Sequence, residues 1–339
     1  MLLHAVTIFL GAFLLFQIQP LMGKYLLPWF GGGPGVWTTC LLFFQTVLLG
    51  GYAYAHWLST HLTIRRQAIV HGVMLVVSLA FLPIAPDADW KPTGGEEPVG
   101  RLLLLLAASV GLPYLVLSAT GPLLQRWFSL QHPGVPPWRL YALSNAGSLL
   151  ALLSFPFVFE PLAPRNSLAA GWSAGLVVFA GLCGACAWQL QRATSNGLAV
   201  SDSAGAAPRV TGLDRLLWLV LPGVASLLLV ATTNKVCLDI AAVPFLWVLP
   251  LAIYLVSFIL CFDHPRWYSR RWNSALLVAG CGASARCLDD ATVPFTTQIG
   301  VYLVTLFAAC MACHGELHRL RPAASRLTGY YLTIATGGA

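Results

Sequence analysis

Leu2-Leu3-His4-Ala5-Val6-Thr7-Ile8-Phe9-Leu10-Gly11-Ala12-Phe13-Leu14-Leu15-Phe16-Gln17-Ile18-Gln19-Pro20-Leu21-Met22 opens the chain without a single Asp, Glu, Lys or Arg. A helix that crosses a bilayer needs about 20 mostly apolar residues, and this stretch supplies them. It is not the profile of a cleavable leader. Met1 to Leu3 carry no basic segment, and the apolar run continues past leader length. Comparable runs follow near residues 36–58, 68–84, 102–123, 139–159, 168–190, 215–233, 244–262, 274–288 and 298–314, the ninth being short and rich in Gly and Ala. An eleventh begins near Thr328 and reaches Ala339. The reading is an all-α, polytopic transmembrane bundle of about ten spanning helices plus the start of an eleventh. A helix ending inside lipid leaves its last carbonyls unpaired, so the chain is expected to be the front part of something longer.

Composition agrees with that class. Of 339 residues, 58% are hydrophobic and only 9% charged, and the mean hydropathy is +0.75. Soluble domains carry about 25% charged residues, so most of this surface must face lipid and a soluble enzyme is excluded. The net charge of +7 comes from 19 basic against 12 acidic residues. The basic residues sit in short loops, where they set topology and meet anionic headgroups rather than nucleic acid. Thirteen lie after even-numbered helices and six after odd-numbered ones. The positive-inside rule then places the N-terminus and the even loops in the cytoplasm of a bacterial inner membrane. Trp37, Trp57, Trp127, Trp138, Trp267 and Trp272 fall near proposed helix ends, as an interfacial belt would.

Residues 191–213 form the one long polar linker, rich in Ser, Ala, Gly and Thr. They divide a first bundle of six helices, 1–190, from a second, 214–339, and read as a flexible cytoplasmic connection. The acidic loop Asp87 to Gly100 is expected on the periplasmic side.

Several motifs invite chemistry. Gly31-Gly32-Gly33-Pro34-Gly35 resembles a phosphate loop but joins two helices with no strand before it, so a tight turn is the expected role. Cys310-Met311-Ala312-Cys313-His314 matches the pattern for covalent haem, yet the charge count places it at a cytoplasmic helix end. Cys183 and Cys186 repeat the spacing on another helix. His314 and His318, beside Glu316, share a helical face but lack an identifiable third metal ligand. With nine cysteines, an odd number mostly inside apolar stretches, small packed side chains are the expected role. No cofactor and no metal site is expected, and no catalytic pattern is present.

Polar groups in hydrocarbon are expensive and tend to line cavities or pair with one another. Gln17, Gln19 and Lys24 flank Pro20, which is expected to bend or unwind the first helix. Ser144-Asn145-Ala146-Gly147-Ser148 suits close helix contact or a solute site. Thr232-Thr233-Asn234-Lys235 precedes Asp239, which lies four residues after Lys235, the spacing of a helical ion pair. Pro244 and Pro250 then flank an apolar stretch and suggest a broken or re-entrant helix. Gln17, Gln19, Lys24, Asn145, Asn234, Lys235 and Asp239 are therefore the candidate solute-binding residues. The alternative for each is interhelical glue.

Four stretches together carry a resemblance: Phe16 to Lys24, Tyr141 to Ser148, Ala242 to Pro250, and Cys313-His314-Gly315-Glu316-Leu317. As a set they resemble the membrane half of bacterial spermidine synthase-like fusion proteins, described as fused major-facilitator and spermidine synthase proteins. The resemblance runs from about residue 5 to the end. It implies a soluble aminopropyltransferase-like domain after the membrane helices, a cytoplasmic partner with its own Gly-rich loop and acidic polyamine site. No residue of that domain is present, so no catalytic residue carries over and this chain is not expected to be an enzyme. The resulting expectation is a transporter-like domain handling a small solute, with polyamine chemistry suggested by the family name only. The alternatives are an anchor for the aminopropyltransferase-like domain, and a haem or redox protein built on Cys310, Cys313 and His314. A cationic solute would require carboxylates, and only Asp239 and Glu316 lie near apolar segments.

Overall fold

The computed structural model describes residues 1–92, 98–195, 210–239, 246–290 and 292–339. Eleven long helices are found among them: α1 (Leu2–Phe30), α2 (Pro34–His61), α3 (Ile64–Leu79), α4 (Val99–Gln131), α5 (Trp138–Leu162), α6 (Arg165–Ser195), α7 (Gly212–Asp239), α8 (Val248–Asp263), α9 (Arg270–Asp289), α10 (Phe295–Arg319) and α11 (Leu327–Gly338). Seven are long and apolar enough to cross a membrane. Leu42, Val76, Phe157, Leu227 and Val278 point outward, the arrangement of a surface solvated by lipid. The chain is a multi-pass membrane protein.

Of the two outcomes expected at Pro20, unwinding is not found: the helix is continuous through both Pro20 and Pro28. Proline removes one helical hydrogen bond, but here Ile18, Leu21 and Met22 are buried on either side and hold the turn in place by packing. In α4 and α5 prolines are accommodated differently. Ala107–Gly111 and Phe155–Phe159 form π-turns, next to Pro113 and around Pro156, where the wider turn absorbs the ring and the missing donor. At Pro250 the sequence suggested a broken helix. Pro250 lies in the first turn of α8, and Pro244 lies outside the described residues.

The largest core comes from α1–α6 alone, with Leu58, Leu105, Ala119, Trp127 and Phe179 fully enclosed. α1 packs on α5, α6 and α4, and α2 packs on α4. In the remaining helices α7 packs on α11 and α10, and α9 and α8 pack on α10. The first six and last five helices meet chiefly where α5 lies against α8 and α2 lies against α11.

Contacts between helix ends fall into two sets, one at each face. At the face that carries Met1, Arg139 Nη2 pairs with Asp263 at 3.2 Å and Arg126 donates to the Ala324 carbonyl at 3.3 Å. At the opposite face Lys24 Nζ pairs with Glu160 at 3.6 Å and Tyr25 Oη donates to Asn166 at 3.1 Å. Each pair joins ends that alternation of the helices puts on the same side.

The Cys313-His314-Gly315-Glu316-Leu317 stretch closes α10 at the Met1 face. Glu316 accepts from Tyr268 Oη at 2.8 Å and from Arg270 at 3.0 and 2.7 Å. Burial and the Glu316 carboxylate push the Tyr268 phenol up to about 12, so it remains a donor at physiological pH. Gly315 is required for this contact, because a Cβ there would stand 2.5 Å from the Tyr268 ring. Gly315→Ala is expected to displace Tyr268 and lower stability by about 1 kcal/mol, the lower end for overpacking, since Tyr268 sits in a loop that can swing aside. Thermal unfolding of the purified variant checks this, and an unchanged midpoint would show that the ring does not depend on the glycine.

Candidate functional site

Where α5 meets α8 and α11, single aromatic residues from many helices converge. Tyr141 of α5 stacks on Tyr331 of α11, with centroids 4.8 Å apart and planes 14° from parallel. It also meets Phe258 edge-on at 5.5 Å and Phe262 at 4.8 Å. Tyr331 Oη donates to Gln125 Oε1 of α4 at 2.7 Å. Tyr52 of α2 lies within electrostatic range of Tyr114, Tyr141, Tyr254 and Tyr331. Five tyrosines from α2, α4, α5, α8 and α11 thus surround one region between the two halves.

Polar groups continue from that region into each half. Gln19 Nε2 donates to Tyr114 Oη at 3.2 Å, and the Tyr254 and Ser226 hydroxyls lie 3.5 Å apart. His314 stacks on Phe258 at 3.5 Å and meets Tyr254 edge-on at 4.9 Å. The Ser257 hydroxyl donates its proton to the Tyr254 carbonyl at 2.7 Å. It therefore accepts from His314 Nδ1, 2.8 Å away. His314 Nε2 is then a bare acceptor, buried and without a partner among the described residues, which is an expensive state for a polar atom.

The residues singled out by sequence are distributed unevenly around this cluster. Gln19 belongs to it, and Gln17, two residues earlier on α1, is buried with its Nε2 unpartnered among the described residues. Asn145 is half-buried and donates back to the Tyr141 carbonyl at 2.9 Å, so it braces the helix turn that carries the central tyrosine. Lys24 is elsewhere, in its ion pair with Glu160 at the opposite face. Asn234 is exposed on α7, and Lys235 is half-buried beside it. The Asp239 side chain lies outside the described residues, so the Lys235–Asp239 pair does too.

The cysteine motif has a packing environment. Cys310 and Cys313 are buried free thiols, and His314 is held by Ser257 and Phe258 as above. His318 packs on Phe262 at 5.1 Å, so the two histidines of α10 run along the two phenylalanines of α8. Glu316 is turned away to Tyr268 and Arg270. Among the described residues no group of three His, Cys, Asp or Glu side chains could hold a metal ion.

The architecture has parallels among solved structures. The proton:xylose symporter XylE of the major facilitator superfamily, bound to 6-bromo-6-deoxy-D-glucose, superposes with a TM-score of 0.63 at 12% identity, covering 99% of this chain and 86% of that one. A double-tryptophan mutant of XylE gives 0.57 at 11% identity, covering 98% and 85%. The fold is major facilitator-like. By sequence, no family model and no curated protein matches the chain. At these identities the likeness concerns the fold alone.

Proposed function

We propose that the chain is the membrane part of a transporter that moves a small solute by alternately closing its two halves around the tyrosine cluster. The observation that carries this reading is that the cluster draws on both halves: Tyr52, Tyr114 and Tyr141 from the first six helices, Tyr254 and Tyr331 from the last five. The contacts crossing between halves at the Met1 face favour a gate. The Arg139–Asp263 pair is largely exposed, and the hydroxyl of Thr328 reaches His56 at 3.0 Å and Ser59 at 2.8 Å. Exposed ion pairs and short polar contacts of this kind are cheap to break and remake. A simple anchor has no need of a buried polar region between its helices.

The chemistry of the cluster suits an uncharged, hydroxyl-bearing solute. Phenols and the Gln19 and Gln125 amides offer hydrogen bonds, and aromatic faces offer stacking. XylE, whose fold this chain shares, is described bound to a halogenated deoxyglucose. Among the described residues no carboxylate figures in the cluster, which weighs against a polyamine cargo. Purified protein is expected to gain thermal stability with a subset of sugars or polyols and not with spermidine or putrescine. A ligand at a hundred times its dissociation constant adds about 2.7 kcal/mol. A selective shift with the polyamines instead would reverse the choice of solute.

The Met1 face is assigned to the cytoplasm of a bacterial inner membrane on the charge bias alone. A fluorescent reporter inserted in the 196–209 segment should fold and fluoresce, and an alkaline phosphatase inserted in the 93–97 segment should be active. The reverse pattern would invert the topology. An aminopropyltransferase-like partner on the cytoplasmic side rests on the sequence resemblance only.

A further inference from the structure

The turn that follows α10 reaches across to the first half at the Met1 face. Arg321 carries its guanidinium over the ring of Trp138, the first residue of α5, with Cζ 5.8 Å from the ring centre. The same guanidinium is anchored on α10. Its Nη1 donates to the His318 carbonyl at 2.7 Å and lies 3.1 Å from His318 Nδ1. A guanidinium has donors only, so Nδ1 must accept, and the proton of the His318 ring sits on Nε2. His318 is 7% exposed and packs against Phe262, which in turn meets Tyr141 of the central cluster at 4.8 Å. One neutral ring thus holds a cation in place across the two halves and stands one residue away from the central tyrosine.

Histidine is the side chain that changes charge near neutrality. A proton arriving from water at the Met1 face takes the Nδ1 lone pair, which turns the acceptor into a donor and sets two cations 3.1 Å apart. Among the described residues Arg321 is the charged group that acts on the ring. The carboxylates on the packed elements are already engaged. On α8, Asp263 next to Phe262 pairs with Arg139 of α5. On α10, Glu316 is held by Tyr268 and Arg270, with Arg319 4.0 Å away. On α11, Tyr330 gives its hydroxyl proton to the Leu317 carbonyl.

We propose that His318 and Arg321 form a proton-sensitive latch, in which uptake of one proton by His318 releases Arg321 from Trp138 and lets the Met1 face open. The latch rests on the transport reading and adds its regulation. The closed face excludes the proton and the open face accepts it, so acid favours opening and closure expels a proton to the Met1 side. His56, the other histidine in a contact between the halves at this face, behaves differently. Ser59 donates to the His56 carbonyl at 2.9 Å, so Thr328 donates to Ser59 and His56 Nδ1 donates to Thr328. That contact already has its proton on Nδ1 and survives protonation at Nε2.

The test reads the distance between the halves. Spin labels are attached at Thr60→Cys near the end of α2 and at Ser269→Cys just before α9, both exposed at the Met1 face. The purified full chain without its native cysteines is followed by electron paramagnetic resonance from about pH 8 to about pH 5.5. The long-distance fraction is expected to rise several-fold as the pH falls. His318→Asn keeps an acceptor near the Nδ1 position that takes up no proton, and should hold the short distance throughout. Arg321→Ala should give the long distance at every pH, and it decides alone if His318→Asn does not fold. A pH response that persists in either variant would overturn the latch and leave the transport reading standing. So would a native chain that ignores pH while Arg321→Ala opens the face. A short distance in every variant at every pH would overturn the latch and count against separation of the halves as well.

Discussion

Gly147→Val is expected to destabilise the protein by about 3 kcal/mol, at the upper end for overpacking a well-filled interior. Gly147 lies on α5 where that helix crosses α1, and a Cβ there would stand 2.6 Å from the Phe9 carbonyl oxygen. The obstacle is backbone, so no rotamer change relieves it and the two helices must separate. Separation loosens the packing of α1 on α5, one of the closest helix pairings in the first six helices. Thermal or denaturant unfolding in detergent measures the loss, and Gly147→Ala should show a smaller version of it. A valine variant with wild-type stability would mean that α1 and α5 do not approach this closely.

Gln125→Leu is expected to cost about 2 kcal/mol, because it leaves the Tyr331 hydroxyl buried without an acceptor. Tyr331 is 1% exposed, and among the described residues its hydroxyl bonds from α11 in one half to Gln125 in α4 of the other. Tyr331→Phe on the Gln125→Leu background removes the stranded donor and should restore most of the loss. Such recovery in a double-mutant cycle is the signature of a direct coupling. Additive losses would instead show that the two side chains act independently. In the proposed transport cycle this pair is among the bonds that alternation of the halves breaks, so the double variant should also open the Met1 face more readily.

Much of the helix plan could be read from sequence, and the differences have one physical origin. Hydropathy registers only the part of a helix that lies in lipid. The fourth run ends at residue 123 by composition, yet α4 continues through Arg126 to Gln131, and α6 continues past Gln191 to Ser195. α3 begins at Ile64, before Arg65 and Arg66. Polar turns beyond the membrane remain helical without any apolar signal. The short, Gly- and Ala-rich ninth run is nonetheless a full helix, Arg270–Asp289, stabilised by packing on α10.

The site was harder to read. Searching for amides and charges in apolar runs selected Gln19, which reaches Tyr114, and Asn145, which braces the Tyr141 turn, together with Asn234, which is exposed on α7. Depth in a helix is visible in sequence, whereas the direction a residue faces depends on its neighbours. The tyrosines escaped for the same reason. Each is a lone aromatic in its own segment, indistinguishable from core or interfacial residues, and only the meeting of α5 with α8 and α11 brings them together. His314 and His318 became notable once their tautomers were fixed by the Ser257 hydroxyl and the Arg321 guanidinium.

The most direct test of the transport account needs no knowledge of the cargo. In a background without the nine native cysteines, Tyr52→Cys places one thiol in the central cluster, and a membrane-impermeant maleimide is applied from each side. The account predicts labelling from the face opposite Met1, with labelling from the Met1 face appearing when Asp263→Ala removes the Arg139 contact. A thiol that reacts from neither face in either background would contradict it, and the region between the two halves would be a sealed core.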